Sequence, residues 1–154
     1  MKALFLDRDG TINVDYGYVH EWEKFEFLPG VMDFCRRARD AGYAIIVITN
    51  QSGIARGMYT EREYRNLTRR MKRAFAAEGV AITAVYHCPE LSGPNRKPAP
   101  GLFLKAQRRY AIDMAASVSV GDKPRDVEAG AAAGVGRNIL LDTTLTNPFQ
   151  ELSL

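Results

Sequence analysis

The chain is short of the residues that build disulfide frameworks and histidine-rich centres. Its 154 residues include two cysteines, Cys35 and Cys88, and two histidines, His20 and His87. The cysteines have no CxxC spacing and cannot form a framework, which excludes a disulfide-stapled secreted fold. No serine or cysteine triad is visible. The two histidines lack partner patterns and read as loop or core hydrogen-bonders. No stretch approaches the roughly 20 apolar residues needed to span a bilayer. The first apolar run is short and acidic residues follow at once, unlike a signal peptide. A net charge of +3 is too small to imply a nucleic-acid partner. The expectation is a reduced, cytoplasmic protein with no membrane and no nucleic acid among its partners. With 46% hydrophobic and 25% charged residues, one globular domain over residues 1–154 is expected. No surplus apolar helix argues against a monomer.

What is present starts at the N-terminus. Lys2-Ala3-Leu4-Phe5-Leu6 is a strand-length apolar run that ends in Asp7-Arg8-Asp9-Gly10-Thr11. Side chains at i and i+2 of an extended segment share a face, so Asp7 and Asp9 could converge on one ion, with Arg8 pointing the other way. At ~4 Å their repulsion is ~4 kcal/mol at an effective dielectric of about 20, which a cation would relieve. A charged turn after a core strand explains the pair alone equally well.

Further along, residues 12–27 mix aromatics with charges and read as an ordered loop, with room for a short hairpin. Pro29-Gly30 precedes a helix carrying Val31, Phe34, Cys35, Ala38 and Ala41, which Gly42 stops. Ala44 to Ile48 is a continuous apolar run ending in Thr49-Asn50-Gln51-Ser52-Gly53. Thr60 and Glu63 fit a capping box for a helix with Tyr64, Leu67, Thr68, Met71 and Phe75 on its buried stripe. Its other face, from Arg62 to Arg73, reads as a solvated face. Strands follow at residues 81–87, 117–120 and 138–141. Helices open at Lys97-Pro98-Ala99-Pro100 and near Pro124, the latter running to Gly134. Residues 142–154 show no pattern. Strands alternating with helices, and apolar without alternation, predict an α/β fold: a Rossmann-like, doubly wound parallel sheet.

In such sheets ligands bind beyond the carboxyl ends of the strands. Those ends carry Asp7 and Asp9, Thr49 and Asn50, and Asp122, with Lys97 in a loop at a helix start. Three carboxylates suit a hard cation such as Mg²⁺, and a lysine suits a phosphate. Asp7 could then attack phosphorus, and Asp9 could protonate the leaving alcohol and later deprotonate water. Thr49 and Lys97 would stabilise charge on the phosphoryl oxygens.

The ordered set DxDGT, strand-end Thr49, Lys97 and Gly121-Asp122-Lys123-Pro124-Arg125-Asp126 resembles the haloacid dehalogenase superfamily of phosphatases. Within it, Asp7 to Asn13, Gly17 to Glu21, Thr49 to Gly57, Arg96-Lys97-Pro98 and Ile112 to Ser117 are similar to the D-glycero-D-manno-heptose 1,7-bisphosphate 7-phosphatases. Histidinol-phosphate phosphatases share much of this pattern and are the alternative. The resemblance implies a HAD-like fold without a large cap domain, a phosphoric monoester hydrolase, and a sugar bisphosphate substrate of heptose biosynthesis, as in lipopolysaccharide formation. It implies Asp7 as nucleophile, Asp9 as acid/base, and a Mg²⁺ site from Asp7, the Asp9 main-chain carbonyl and Asp122. It implies substrate contacts from Asp15, Tyr16, Gly17 and Tyr18, from Thr49, Asn50, Gln51 and Ser52, and from Arg96, Lys97 and Lys123. Arg96 is the candidate for the second phosphate, although an exposed loop arginine would look the same in sequence. A phosphoacceptor receiver-like domain is disfavoured, because the third strand ends in His87-Cys88-Pro89 rather than an aspartate.

One departure stands out. The family carries a zinc loop of three cysteines and a histidine before Arg-Lys-Pro, but here the stretch is His87-Cys88-Pro89-Glu90-Leu91-Ser92-Gly93-Pro94-Asn95. A tetrahedral structural zinc needs four ligands, so no zinc is expected.

Overall fold

The apolar runs become strands and the 3.6-period stripes become the helices that cover them. The computed structural model describes residues 1–154. Five strands alternate with four α-helices: β1 (Lys2–Leu6), α1 (Val31–Asp40), β2 (Tyr43–Asn50), α2 (Glu61–Ala77), β3 (Ile82–Cys88), α3 (Gly101–Tyr110), β4 (Val118–Gly121), α4 (Pro124–Ala132) and β5 (Arg137–Leu140). Every pairing is parallel, and the strand order is β3-β2-β1-β4-β5.

Alternate residues of each strand go to opposite faces. Leu4, Leu6, Ile45 and Val47 pack with Phe34 and Ala38 of α1 and Leu67, Met71 and Phe75 of α2. Ala3, Phe5, Ile46 and Ile48 pack on the other face with Leu102, Phe103 and Ala106 of α3 and Ala129 of α4. Both faces are buried, which is why the strands read as unbroken apolar runs. Each fully buried Phe or Leu contributes about 1.5–3 kcal/mol.

The capping box forms: Glu63 N–H donates to Thr60 Oγ1 at 3.1 Å, and Thr60 N–H donates to Glu63 Oε1 at 3.0 Å. Two expectations need correction. The helix expected at Lys97 starts at Gly101, with Pro100 as its N-cap, so residues 97–99 are a loop. Residues 12–27 form no hairpin. They hold one 3-10 turn, Trp22–Lys24, and single bridges from Asn13 to Asp9 and Phe27. The tail, patternless in sequence, is docked: Phe149 is fully buried against Phe34, at 5.0 Å between ring centroids. Arg37 donates to the Phe149 and Leu152 carbonyls at 3.0 and 2.8 Å. A segment docked by one ring and two carbonyls has no period to read.

The sheet reverses its winding between β1 and β4, which are neighbours in space but distant in sequence. A crevice opens at such a switch point, beyond the strands' carboxyl ends. Asp7 follows β1 there, and Asp122 follows β4.

Candidate active site

Asp7 is 9% exposed at the end of β1, with its N–H held by the Val120 carbonyl of β4 at 3.1 Å. Oxygens of Asp7, Asp122 and Asp126 lie within 4.8 Å of one another. Against them stands one buried ammonium, with the exposed Lys123 Nζ 3.7 Å from Asp122 Oδ2: Lys97 Nζ lies 3.0 Å from Asp7 Oδ1 and 2.7 Å from Asp126 Oδ1, and donates to the Ile48 carbonyl at 2.6 Å. Burial pushes the Asp7 carboxyl up, Lys97 opposes, and Asp126, Asp122 and Asp9 add to the rise, to about 8. Burial, with Asp126 beside it, also raises the Asp122 carboxyl. Burial alone would lower the Lys97 ammonium, but Asp7 and Asp126 together outweigh it and hold it above its ordinary value. The site is short of positive charge.

That shortage is the test of fit for a divalent cation. Asp122 Oδ1 is buried with no hydrogen-bond partner. No N–H in the chain donates to the main-chain oxygen of Asp9. Asp126 Oδ1 likewise has no hydrogen bond of good geometry but is ion-paired with Lys97 Nζ at 2.7 Å, and Oδ2 accepts from the Lys123 N–H at 3.0 Å. Asp126 therefore anchors the lysine, while Asp7, Asp122 and the Asp9 carbonyl are available to a hard, oxygen-seeking ion. Gly10 permits the approach: its φ is +85°, and a Cβ there would sit 2.1 Å from Asp122 Oδ2.

The idea that the Asp7 and Asp9 side chains converge on one ion is corrected. Asp9 accepts from Arg8 Nη2 at 2.9 Å and Asn13 Nδ2 at 3.0 Å on Oδ1, and from Gln51 Nε2 at 3.0 Å on Oδ2. Asp126 takes its place in the carboxylate cluster. Nor does Arg8 point away. It is 1% exposed, grips Asp9 Oδ1 and donates to the Val19 carbonyl at 2.7 Å.

A cleft of ≈ 380 Å³ opens over Asp7 and Asp9. Of the expected substrate contacts, Asp15, Gly17, Tyr18, Asn50, Gln51, Ser52, Arg96, Lys97 and Lys123 line it. Tyr16 does not: it is exposed, and its hydroxyl donates to Glu26. Thr49 lies beneath the wall, 1% exposed, its Oγ1 accepting from Gln51 Nε2 at 2.9 Å. Asn50 spends both ends of its amide on Lys97, donating to its carbonyl at 3.1 Å and accepting its N–H at 3.0 Å. That clamp seats the buried ammonium. The Asp9 and Ser52 N–H groups donate to nothing in the chain and are available to an anion.

Arg56, Tyr59 and Arg125 also line the cleft, and sequence reasoning missed them, along with Asp126, Asn13 and the role of Arg8. Asp126 had a signal, as the last residue of Gly121-Asp122-Lys123-Pro124-Arg125-Asp126. Arg125 lies in the same motif and Arg56 in the Thr49-to-Gly57 stretch, but only the fold shows that they and Tyr59 line the cleft. With Arg96, Lys97 and Lys123 they give the cleft five cations, suited to a doubly phosphorylated ligand.

Comparison with known proteins bears on this site. The family described as polynucleotide kinase 3 phosphatase matches residues 3–135. The D-glycero-beta-D-manno-heptose-1,7-bisphosphate 7-phosphatase of Yersinia pestis is 47% identical over 93% of this chain and 81% of its own length. The D-glycero-alpha-D-manno-heptose-1,7-bisphosphate 7-phosphatase of Burkholderia mallei is also 47% identical, over 91% of this chain and 79% of its own. Among solved structures, the D,D-heptose 1,7-bisphosphate phosphatase from B. bronchiseptica, complexed with magnesium and phosphate, superposes with a TM-score of 0.82 at 35% identity, covering 89% of this chain and 79% of that one.

Proposed function

The chain belongs to the heptose-1,7-bisphosphate 7-phosphatase family of haloacid dehalogenase phosphatases, and from that premise we propose that it removes the 7-phosphate of D-glycero-D-manno-heptose 1,7-bisphosphate. It is a phosphoric monoester hydrolase by family. The observation that carries the substrate reading is the placement of Asp7 and Lys97 at the floor of a cleft that also holds Arg56, Arg96, Lys123 and Arg125. The first two serve a reacting phosphate, and the other cations serve a second one. Arg96 is placed to grip it bidentately.

In this mechanism an Asp7 oxygen attacks phosphorus and the ester P–O bond breaks, leaving phosphate on Asp7. Asp9 gives its proton to the departing sugar oxygen. Water then attacks phosphorus, Asp9 takes the water's proton, and the Asp7–phosphorus bond breaks to release inorganic phosphate. The free lone pair for this proton is on Asp9 Oδ2, because Oδ1 already accepts from Arg8 and Asn13. Lys97 and the Thr49 hydroxyl stabilise charge on the phosphoryl oxygens. Mg²⁺ held by Asp7, Asp122 and the Asp9 carbonyl supplies the positive charge that keeps Asp7 ionised and offsets charge on the transferring group.

Histidinol phosphate is the competing substrate. Its amine and imidazole would meet Arg56, Arg96, Lys123 and Arg125 with like charge, whereas a second phosphate is attracted. The reading extends to residues 1–154 acting as one unit without a cap domain. It also takes the 89–96 loop to hold without zinc. His87 is occupied there, its Nε2 2.6 Å from Glu61 and its ring 4.0 Å from Tyr64, and Cys88 is buried beside the Glu90 carbonyl. Stoichiometric zinc in metal analysis of the pure protein would overturn that part.

Phosphate release with Mg²⁺ from both anomers of heptose 1,7-bisphosphate and from histidinol phosphate tests the substrate. The bisphosphate is expected to lead in kcat/KM, with the better anomer naming the pathway. Preference for histidinol phosphate would sink the assignment. Asp7→Asn should abolish turnover, and substantial remaining activity would refute the nucleophile.

A further inference from the structure

The acid/base side chain is held by a residue of the loop that follows β2. Asp9 Oδ2 is bound by Gln51, which comes from beyond β2 and is 2% exposed. The direction of the Gln51 amide is decided by its surroundings. Nε2 sits between two acceptors, Asp9 Oδ2 at 3.0 Å and Thr49 Oγ1 at 2.9 Å. A flipped amide would set Oε1 against a carboxylate oxygen, so only one orientation is satisfied. Oε1 in turn accepts from the Tyr59 hydroxyl.

Tyr59 is built into its seat. It is 5% exposed, and its ring stacks on His20 with centroids 5.0 Å apart and planes 13° apart. Gly53 lies against the ring edge, where a Cβ would come within 2.1 Å of Tyr59 Cε1. Burial pushes the phenol up to about 12, so the hydroxyl remains a donor throughout the working range of pH.

We propose that Gln51 and Tyr59 are positioning residues for the proton transfer: Tyr59 pins the Gln51 amide, which aims Asp9 Oδ2 at the scissile oxygen. The role assigned to Gln51 is thus orientation of Asp9 rather than contact with the sugar. The proposal rests on Asp9 being the general acid. It predicts damage confined to the protonation of the leaving group. Poor leaving groups need that proton and good ones do not.

The test is a series of substituted phenyl phosphates, from p-nitrophenyl to phenyl, assayed with Mg²⁺ for wild type, Gln51→Leu, Tyr59→Phe and Asp9→Asn. None of these esters carries a heptose, so lost sugar contacts cannot mimic the effect. kcat/KM reports the chemistry up to departure of the phenol. For Gln51→Leu and Tyr59→Phe, phenyl phosphate should lose about 10–100-fold and p-nitrophenyl phosphate less than about 3-fold. Asp9→Asn should lose about 10²–10⁴-fold on phenyl phosphate and give the steepest dependence on leaving group. Tyr59→Phe removes one oxygen and carries the test should Gln51→Leu fold poorly. Gly53→Ala, which displaces the ring, should reproduce its slope. Equal losses across the series, or none, in Gln51→Leu and Tyr59→Phe while Asp9→Asn is steep would overturn the positioning role alone. A wild-type slope in Asp9→Asn would overturn the acid assignment beneath it.

Discussion

Asp122→Asn should stabilise the metal-free protein while destroying its response to Mg²⁺. The three carboxylates lie within 4.8 Å, and a pair of unit charges at that distance repels by about 3.5 kcal/mol at an effective dielectric of about 20. Lys97 offsets part of this, and Lys123 Nζ, 3.7 Å from Asp122 Oδ2, offsets more. Removing the Asp122 charge should therefore return about 1–2 kcal/mol, a rise of about 2–8 °C in Tm for a chain of this size. The pH dependence has a definite sign. Burial raises Asp7 from an ordinary 3.8 to about 8 in the folded protein, so its contribution is present at low pH and is lost as pH rises toward 8. Metal-free wild type should thus melt lower at pH 8 than at pH 5, and Asp122→Asn should flatten that slope. Mg²⁺ should raise the wild-type Tm more at pH 8 than at pH 5 and leave the variant unmoved. Differential scanning calorimetry in chelator and in excess Mg²⁺ supplies all of these values. A metal-free variant that melts below wild type, or one that keeps the Mg²⁺ increment, would refute the reading of this cluster as a cation site.

Lys97→Met leaves the buried carboxylates uncompensated and should lower Tm by about 6–20 °C, from about 3–5 kcal/mol, with activity lost; a chemical melt near wild type would contradict it. Arg96→Met should raise KM for a sugar bisphosphate about 10–100-fold, the loss of one charge-assisted contact worth about 1.5–3 kcal/mol, with little change for p-nitrophenyl phosphate. An equal effect on both substrates would remove Arg96 from the second phosphate. Thr60→Ala removes the capping box and should cost about 1 kcal/mol, or about 2–4 °C, without changing kcat; a thermal melt and a rate assay check both parts. Cys35 and Cys88 are 0% and 1% exposed, and burial pushes the Cys35 thiol up to about 12. Neither should react with an aromatic disulfide reagent at pH 8 before denaturant is added, and fast reaction of the native protein would disprove their burial.

In the proposed reading, the two ends of the substrate would face different kinds of protein. The reacting phosphate would meet groups at strand ends, whose positions the sheet dictates through bonds such as Asp7 N–H to Val120. The far end would meet Tyr18, Arg56, Arg96 and Arg125, which line the cleft from loops and a helix start. The strand-end groups are seated by buried partners, as Asn50 seats Lys97. The cleft cations Arg56 and Arg125 are exposed and free to follow the ligand. On this reading reaction class would be set by the buried strand-end groups, and preference among sugars by the exposed cleft cations.

Local pattern alone decided the parallel α/β architecture, because a sheet covered on both faces needs unbroken apolar strands and striped helices, and both are legible in β1, β2, α1 and α2. It also marked the candidate reactive groups, since Asp7, Asp9, Thr49 and Asp122 sit at or just beyond strand ends and Lys97 in the loop before α3. What it could not decide was which carboxylate faces which cation. Asp9 shares a strand face with Asp7 on paper, yet Arg8, Asn13 and Gln51 draw it aside, and Asp126 arrives from α4 to complete the cluster. Those partners are separated in sequence by up to about a hundred residues, and hydrogen bonds between such segments leave no local period. The docking of Phe149 and the inward turn of Tyr59 belong to the same class. The chain's own order specified the sheet and its chemistry, and only tertiary packing assigned each charged group its partner.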